Sequence, residues 1–174
     1  MTMPNNPVYF VDSSILVELL KVPGKCDPAR LKRVQEDMKR HEQERAQYVL
    51  PVTTIIEVGN HISQAPGDTY ACAKRFSDIV KKTADGEAPW QLRPVTWDAE
   101  YLCSLLRGDS TGVDLTTHLS MTKNDRQAPL GAGDVSILVE RDRFAERTAY
   151  DDVRVWTIDS GLAAYANLPS RRRA

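Results

Sequence analysis

Cysteine is scarce in this sequence, and its spacing excludes a disulfide framework. The chain has 3 cysteines, Cys26, Cys72 and Cys103, which lie far apart and form no CxxC pair. An odd number of separated cysteines argues against a framework of paired cysteines. Reduced thiols are typical of cytosolic proteins, so we expect a cytoplasmic protein without structural disulfides.

Long hydrophobic runs are also missing. No apolar run approaches the roughly 20 residues that a membrane-spanning helix needs. The opening segment, MTMPNNPVYF, has neither the basic start nor the apolar core of a secretory signal. We therefore expect a protein that is neither secreted nor inserted in a membrane.

An excess of charge of one sign is absent as well. The formal net charge is -1, so the chain as a whole gives no electrostatic argument for nucleic-acid binding. Basic residues do cluster locally, and such clusters usually form the solvated face of a helix. They fall within the ranges 32–45, 74–82 and 171–173. The histidines, His41, His61 and His118, lack the spacing of metal ligands, which argues against a zinc site.

What is present is an alternation of short apolar runs and helical patterns. The length of 174 residues, with 41% hydrophobic and 27% charged residues, suits one soluble domain, expected over residues 1–174. Strands alternating with helices predict an α/β fold with a mainly parallel sheet. The predicted strands are Val8–Val11, Tyr48–Val52, Gln91–Val95 and Val153–Ile158. The predicted helices are Ser13–Lys21, Ala29–Gln47, Thr53–Ser63, Asp68–Lys82, Trp97–Arg107, Gly131–Arg147 and Leu162–Ala166.

Two segments stand apart from that alternation. The helix over Ala29–Gln47 has a thin apolar stripe of Leu31, Val34 and Met38. We therefore expect it to lean on the body of the protein, to project from it, and to contact a partner or a second protomer. The segment Gly108–Pro129 is polar and poorly periodic, which predicts a long loop, with a short helix near 115–119. Loops of that length are usually functional or mobile.

Four acidic residues occupy informative positions relative to these elements. Asp12 and Asp159 follow the first and last strands directly, at the sheet edge where parallel α/β proteins bind ligands. Glu57 lies one turn into the helix after the second strand, in "TTIIEVGNH", and Asp134 lies near a helix start in "PLGAGDVSILVE". Short right-handed connections would bring both helix ends to the same edge. The four carboxylates are therefore expected to converge.

Each acid also has a simpler explanation. Asp is a preferred N-cap, so the alternative role of Asp12 and Asp159 is to cap the helices that follow them, without any ligand. The alternative role of Asp134 is to complement a helix dipole. Glu57 could reach solvent or pair with a lysine. The serines at positions 13, 14 and 160 are more often cap hydroxyls than catalytic groups. It is the joint pattern that favours a site.

Carboxylates that converge favour a bound cation. They remain ionised together only when a cation lies among them; otherwise their pKa values rise. Oxygen ligands without His or Cys suit Mg²⁺ or Mn²⁺. Such ions usually keep positions open for water and substrate phosphate, which indicates phosphoryl chemistry.

The same motifs resemble the PIN-domain family of metal-dependent ribonucleases over nearly the whole chain. They are "YFVDSS", "TTIIEVGN", "LGAGDVSILVE" and "VWTIDSGL", in that order. In size and layout the chain is most similar to the VapC-type toxins of bacterial toxin–antitoxin pairs. It is longer than a typical toxin of this type, and no final strand follows its last helix.

The resemblance implies a fold, an activity and a set of site residues. The fold would be a three-layer α/β/α sandwich around a parallel sheet. The activity would be Mg²⁺- or Mn²⁺-dependent hydrolysis of RNA phosphodiesters. The protein partners would be an antitoxin and a second copy of the chain, in a homodimer. The acidic cluster, catalytic and metal-binding, would be Asp12, Glu57, Asp134 and Asp159. Ser13 and Thr157 would be supporting hydroxyls.

Within that cluster the expected roles differ. Asp12 and Asp134 are the expected direct ligands, followed by Glu57, while Asp159 would bind a second ion or a metal-bound water. Basic side chains beside the cleft would bind the phosphate backbone without reading sequence. The candidates are Lys123, Arg126 and the arginines at 171–173.

Other functions place an acid after the first strand too. A haloacid-dehalogenase-type phosphatase needs a second Asp two residues on, where this chain has Ser14. A response-regulator receiver needs an early acidic pair and a mid-sheet phosphoacceptor, which are not found. A stand-alone PIN-domain nuclease remains an alternative, and so does an inactive PIN-like module that binds RNA or protein.

Overall fold

The computed structural model describes residues 6–93, 97–121 and 129–166 of the chain. In these residues it contains four strands and eight helices. The strands are β1 (Val8–Val11), β2 (Gln47–Val49), β3 (Trp90–Gln91) and β4 (Val153–Trp156). The helices are α1 (Ser13–Leu19), α2 (Pro28–Gln43), α3 (Val52–Ser63), α4 (Tyr70–Asp85), α5 (Ala99–Arg107), α6 (Leu115–Ser120), α7 (Ala132–Arg147) and α8 (Ser160–Ala166).

The four strands form one parallel sheet in the order β3-β2-β1-β4. β1 lies in the interior of the sheet and all four of its residues are buried, as expected for a parallel strand covered on both faces. β1 pairs with β4 from Val8 opposite Val153 to Val11 opposite Trp156. The two strands therefore end side by side, which brings the residues that follow them to one edge.

Helices cover both faces of the sheet, which confirms the α/β class and is consistent with a three-layer α/β/α sandwich. Side chains alternate along β1 because successive strand residues point to opposite faces. Tyr9 and Val11 join a core with residues of α1 to α4. Val8 and Phe10 join a second core with residues of α7 and α8. Each described helix is too short or too polar to cross a lipid bilayer.

The helix α2 leans on the body of the protein through its two buried residues, Val34 and His41, and most of its other residues are exposed. His41 is 1% exposed and stacks on Tyr9, with ring centroids 3.9 Å apart. Its Nδ1 lies 3.2 Å from the hydroxyl of Tyr48, and burial lowers the pKa of His41 to about 4. A neutral histidine therefore serves as an aromatic core residue. The predicted stripe contained only aliphatic residues and methionine, so His41 was not predicted as a core residue.

Several element boundaries differ from the predictions because of local hydrogen bonding. Pro51 occupies the N-cap position of α3, and Thr54 donates its hydroxyl to the carbonyl of Val11 at 2.9 Å. Asp98 caps α5 by accepting from Tyr101 N at 2.8 Å. The third strand is the pair Trp90–Gln91, and residues 94–96 lie outside the described ranges.

The segment predicted as a long loop contains α6, close to the predicted short helix at 115–119. Asp114 caps it and accepts from both the backbone N and the hydroxyl of Thr117, at 2.9 and 2.7 Å. His118 is 1% exposed and its Nε2 lies 3.0 Å from the hydroxyl of Thr111. These polar contacts lie within the segment and hold α6 to the turn before it, while residues 122–128 lie outside the described ranges.

Glu140 gives the fold an expected pH dependence. Its side chain is 4% exposed, and neither carboxylate oxygen has a hydrogen-bond partner among the described residues. Burial raises the pKa of Glu140 to about 7. The folded state thus holds a proton that the unfolded chain, with a pKa near 4.3, releases earlier. This contribution to stability is complete below the unfolded pKa and is lost as pH rises through about 7.

Glu140→Gln should remove that dependence, because glutamine is neutral at every pH. Between pH 5 and pH 8 the wild type should lose about 2 kcal/mol more unfolding free energy than the variant. Urea denaturation at both pH values measures this difference. Parallel pH profiles for the two proteins would show that Glu140 titrates normally in the folded state.

Candidate metal centre

Asp12 stands at the carboxyl end of β1 and is held there by hydroxyl groups. It is 3% exposed, and its Oδ2 accepts from Ser14 Oγ at 2.6 Å and from Thr157 Oγ1 at 2.8 Å. It also caps α1 by accepting from the backbone N of Ser14 at 3.3 Å. A buried carboxylate needs such donors. These contacts leave Asp12 a fixed position at the sheet edge.

Both expected hydroxyls contact Asp12, and Ser14 adds a third contact that was not predicted. Thr157 contacts Asp12 directly, as the resemblance implied. Ser13 Oγ lies 3.5 Å from Asp12 Oδ1, whereas Ser14 makes the short contact. Ser14 Oγ also accepts from the backbone N of Ile158 at 3.2 Å, which ties α1 to the end of β4. In the sequence the two serines are equivalent neighbours, and only the helix geometry separates them.

Asp159 follows β4 and begins α8. Its Oδ1 accepts from the backbone N of Leu162 at 2.9 Å, and its own N–H donates to Thr157 Oγ1 at 3.0 Å. The residue is exposed at the same edge as Asp12. The helix-cap role considered for Asp159 is therefore present, as it is for Asp12, and Thr157 bonds to both residues.

Glu57 and Asp134 lie on the helices α3 and α7, which pack on opposite faces of the sheet. Thr54 places the start of α3 against the end of β1 through its bond to Val11. A Cβ built on Gly133 would collide with the Glu57 carboxylate and lie 3.3 Å from its Cδ. Asp134 is the next residue after that glycine. The absence of a side chain at 133 therefore lets Glu57 and Asp134 share one edge.

The electrostatics of Asp134 show that the acids converge. Its Oδ2 accepts from the backbone N of Gly131 at 3.0 Å, which by itself would lower the pKa. Even so, the pKa of Asp134 is raised to about 6, first by burial and then by the charges of Asp12, Asp159 and Glu57. All three other members of the predicted cluster thus act on one carboxyl group. Simple helix capping does not require that arrangement.

Three of the four acids, Asp12, Asp134 and Asp159, line a cleft of about 500 Å³ at the carboxyl edge of the sheet, and Glu57 does not belong to this lining. The lining also contains Lys25, Arg30 and His61, which were not predicted as part of the site. The available signal was helical spacing, since His61 lies four residues after Glu57 on α3. The basic residues predicted beside the cleft, at 123, 126 and 171–173, lie outside the described residues.

The donor set fits a hard divalent cation. Four carboxylates offer only oxygen ligands, as Mg²⁺ and Mn²⁺ prefer. Burial raises the pKa of Asp134, and the charges of the other three acids raise it further. Within residues 6–93, 97–121 and 129–166, no three His, Cys, Asp or Glu side chains stand in a ready-made metal-binding group.

A larger cleft, of about 660 Å³, lies between α5 and α7 and has a different character. Its charged lining balances four arginines against four acids: Arg107, Arg141, Arg143, Arg147, Glu100, Asp109, Asp142 and Glu146. Arg143 is bonded to both oxygens of Asp98, and Arg107 to both of Asp109. The charges of this cleft are nearly balanced, and the pairs with Asp98 and Asp109 are structural contacts.

Comparisons with models of protein families, with curated proteins and with solved structures found no match to this chain. The assignment of a function therefore rests on the residues of the cleft and on the motifs that resemble the PIN-domain family.

Proposed function

We propose that this protein is a Mg²⁺- or Mn²⁺-dependent endoribonuclease that hydrolyses RNA phosphodiester bonds at the acidic cleft. The observation that supports it most strongly is that Asp12, Asp134 and Asp159 line one cleft, where burial, and then the charges of Asp12, Asp159 and Glu57, raise the pKa of Asp134. Four carboxylates at one edge repel one another, and a divalent cation relieves that repulsion. A phosphodiester, itself an anion, would be excluded from such a cleft without the cation.

In this proposal each acid has a distinct task. Asp12, fixed by Ser14 and Thr157, and Asp134 would hold the ion directly, with Glu57 beside them. Asp159 would orient water at the open side of the cleft. Bound Mg²⁺ would supply charge neutralisation on the phosphate and a more acidic water. Because ligands must be deprotonated, ion affinity should fall as pH drops below about 6, where Asp134 takes up a proton.

The RNA-cutting activity has a direct test. Purified protein should cut single-stranded or loop RNA in Mg²⁺ or Mn²⁺, stop when EDTA is added, and resume when the ion is restored. Duplex DNA should be cut much less, because unstacked single-stranded segments can enter a shallow cleft. Cutting that continues in EDTA would contradict the proposal.

A second candidate is a PIN-like module that binds RNA or protein without cutting. It is favoured by the observation that Asp12, Asp134 and Asp159 all accept backbone N–H bonds at helix starts. A capping role alone would explain these three residues. The two candidates differ in their response to Mn²⁺, which only the nuclease needs.

We further propose the biological setting that the resemblance implies: a cytoplasmic toxin with an antitoxin partner, acting as a homodimer. The exposed apolar side chains Leu102 and Leu106, one turn apart on α5, are available for a protein contact. A stand-alone nuclease is the alternative. A neighbouring reading frame for a small DNA-binding protein would favour the toxin.

A further inference from the structure

The loop between α1 and α2, with the start of α2, forms one wall of the cleft that the acids line. Gly24 and Lys25 from this loop and Arg30 from the first turn of α2 all belong to the lining. Gly24 adopts a φ of +73°, and a Cβ there would lie 3.3 Å from Pro66 Cγ, so the loop is packed closely against the residues after α3. The backbone of this wall therefore has a defined position.

Glu18 holds this wall in place through hydrogen bonds. It is 2% exposed, and its Oε2 accepts from the backbone N of Asp27 at 2.8 Å. Its Oε1 accepts from Arg30 Nε at 2.6 Å, while Arg30 Nη2 donates to the carbonyl of Lys25 at 2.8 Å. Glu18 lies four residues after Ser14 on α1, on the same helix face as the hydroxyl that holds Asp12. One short helix thus links the acidic centre to the basic wall.

Arg30 is held but not covered by these contacts. Its side chain remains 52% exposed, although its Nε is bonded to a nearly fully buried carboxylate. Lys25 makes no ion pair among the residues that the structure describes, and it is exposed at the rim of the same cleft. A buried acid that fixes an exposed arginine beside a lysine leaves a cationic surface with unused hydrogen-bond donors.

A polyanionic chain crossing the cleft meets two opposite environments. The acids at the carboxyl edge repel every phosphate that is not neutralised by a cation. A phosphate next to the reacting one therefore needs positive protein groups at the cleft wall. Arginine presents donors in a planar fork that matches phosphate oxygens, and lysine acts as a point charge. Lys25 and Arg30 supply both kinds of group in the same cleft as Asp134 and Asp159.

We infer that Lys25 and Arg30 bind the backbone phosphate adjacent to the one that is cut, and that Glu18 is the positioning residue that holds Arg30 for this contact. The inference rests on the proposed RNA hydrolysis and adds to it the protein groups that hold the neighbouring phosphate of the RNA. The contact reads charge and not base sequence, because phosphates are the same at every nucleotide.

Equilibrium binding tests this contact without requiring cutting. The probe is a short fluorescein-labelled single-stranded RNA of mixed sequence, titrated in Ca²⁺ with the full chain and followed by fluorescence anisotropy. Arg30→Ala and Lys25→Ala should each raise Kd about fivefold, as for one part-exposed charged contact. The logarithm of the association constant falls as the logarithm of the salt concentration rises, and each variant should make this negative slope less steep by about 0.7.

Arg33→Ala is the matched control, since Arg33 is an exposed arginine of the same helix that does not line the cleft. It should leave Kd and the salt slope unchanged. Arg30→Lys keeps the charge and should restore the slope. A control variant that weakens binding as much as Arg30→Ala would overturn the inference, because general surface charge would then explain the affinity.

Glu18→Gln separates positioning from direct binding. Glutamine keeps the acceptor for Asp27 N but removes the charge that orients Arg30, so Kd should rise by a similar factor although a negative charge has been lost. The double variant with Arg30→Ala should bind no worse than Arg30→Ala alone, since both changes remove one contact. Tighter binding by Glu18→Gln, as simple charge removal would give, contradicts the positioning role.

The outcomes distinguish this inference from the proposed activity. If RNA binds with the predicted dependence on Arg30 but is not cut in Mn²⁺, the hydrolysis fails and the phosphate contact stands. If RNA is cut but Kd is the same for wild type and Arg30→Ala, the contact is refuted and the activity stands. A wild-type protein that binds no RNA refutes the contact outright.

Discussion

Asp134→Asn is expected to lower the rate of RNA cutting roughly 100-fold or more while the metal-free fold remains intact or becomes more stable. Asparagine keeps the size of the side chain and an oxygen that can accept from Gly131 N, but removes the charge that would hold the ion. Loss even of groups that only support metal ligands typically costs 10–100-fold, so loss of a direct ligand should cost at least as much.

The sign of the stability change follows from the pKa of Asp134. That pKa is raised to about 6, so ionisation of Asp134 opposes folding: the penalty is absent below the unfolded pKa and complete above about 6. At pH 7 the variant lacks this penalty, and Tm should hold or rise by about 2–4 °C for each kcal/mol relieved. Thermal unfolding in EDTA at pH 7 measures it.

Asp114→Asn is the matched control for that experiment. Asp114 also begins a helix, but it lies outside the cleft and its pKa is lowered by hydrogen bonds from Thr117. Neutralising it should reduce stability and leave cutting unchanged, the reverse of the Asp134 result. If Asp134→Asn instead melts several degrees earlier and cuts at the wild-type rate, Asp134 is only a helix-start residue.

Gly133→Ala is expected to weaken metal binding and cutting roughly 10-fold or more while the protein becomes slightly more stable. The added Cβ would collide with the Glu57 carboxylate, which is the flexible end of a side chain and can move away. Alanine in place of glycine in a helix contributes up to about 1 kcal/mol. Function and stability should therefore change in opposite directions.

Gly59→Ala provides the comparison, because Gly59 lies on α3 and a Cβ there meets only Phe76 Cε1 at 4.0 Å. It should bring a similar gain in Tm without any effect on the ion. Calorimetry with Mn²⁺ and thermal unfolding in EDTA give both quantities for each variant. Equal ion affinities for the two alanine variants would place Glu57 outside the site.

The sheet edge was predictable because it depends on local signals. Apolar runs followed by Asp12 and Asp159 mark the ends of two strands, and their side-by-side pairing follows from parallel-sheet topology. Glu57 and Asp134 were predictable only through their helices and the short connections between elements. The order of motifs along the chain therefore carried most of the information about the acidic cluster.

The rest of the cleft depends on contacts distant in sequence. The bond between Arg30 and Glu18 joins two helices across a loop, and nothing local distinguishes Arg30 from the other basic residues of α2. The choice of Ser14 over Ser13 depends on which hydroxyl the first turn of α1 directs toward Asp12. His41 was hidden for the same reason, since its aromatic neighbours come from three strands.

The most direct test of the central claim is an isothermal titration of Mn²⁺ into wild type and Asp12→Asn at pH 7. Asparagine can still accept hydrogen bonds from the hydroxyls of Ser14 and Thr157, so the local structure should persist while the negative charge is lost. The account predicts saturable binding to wild type and binding at least 10-fold weaker to the variant. Equal binding by both proteins would contradict it.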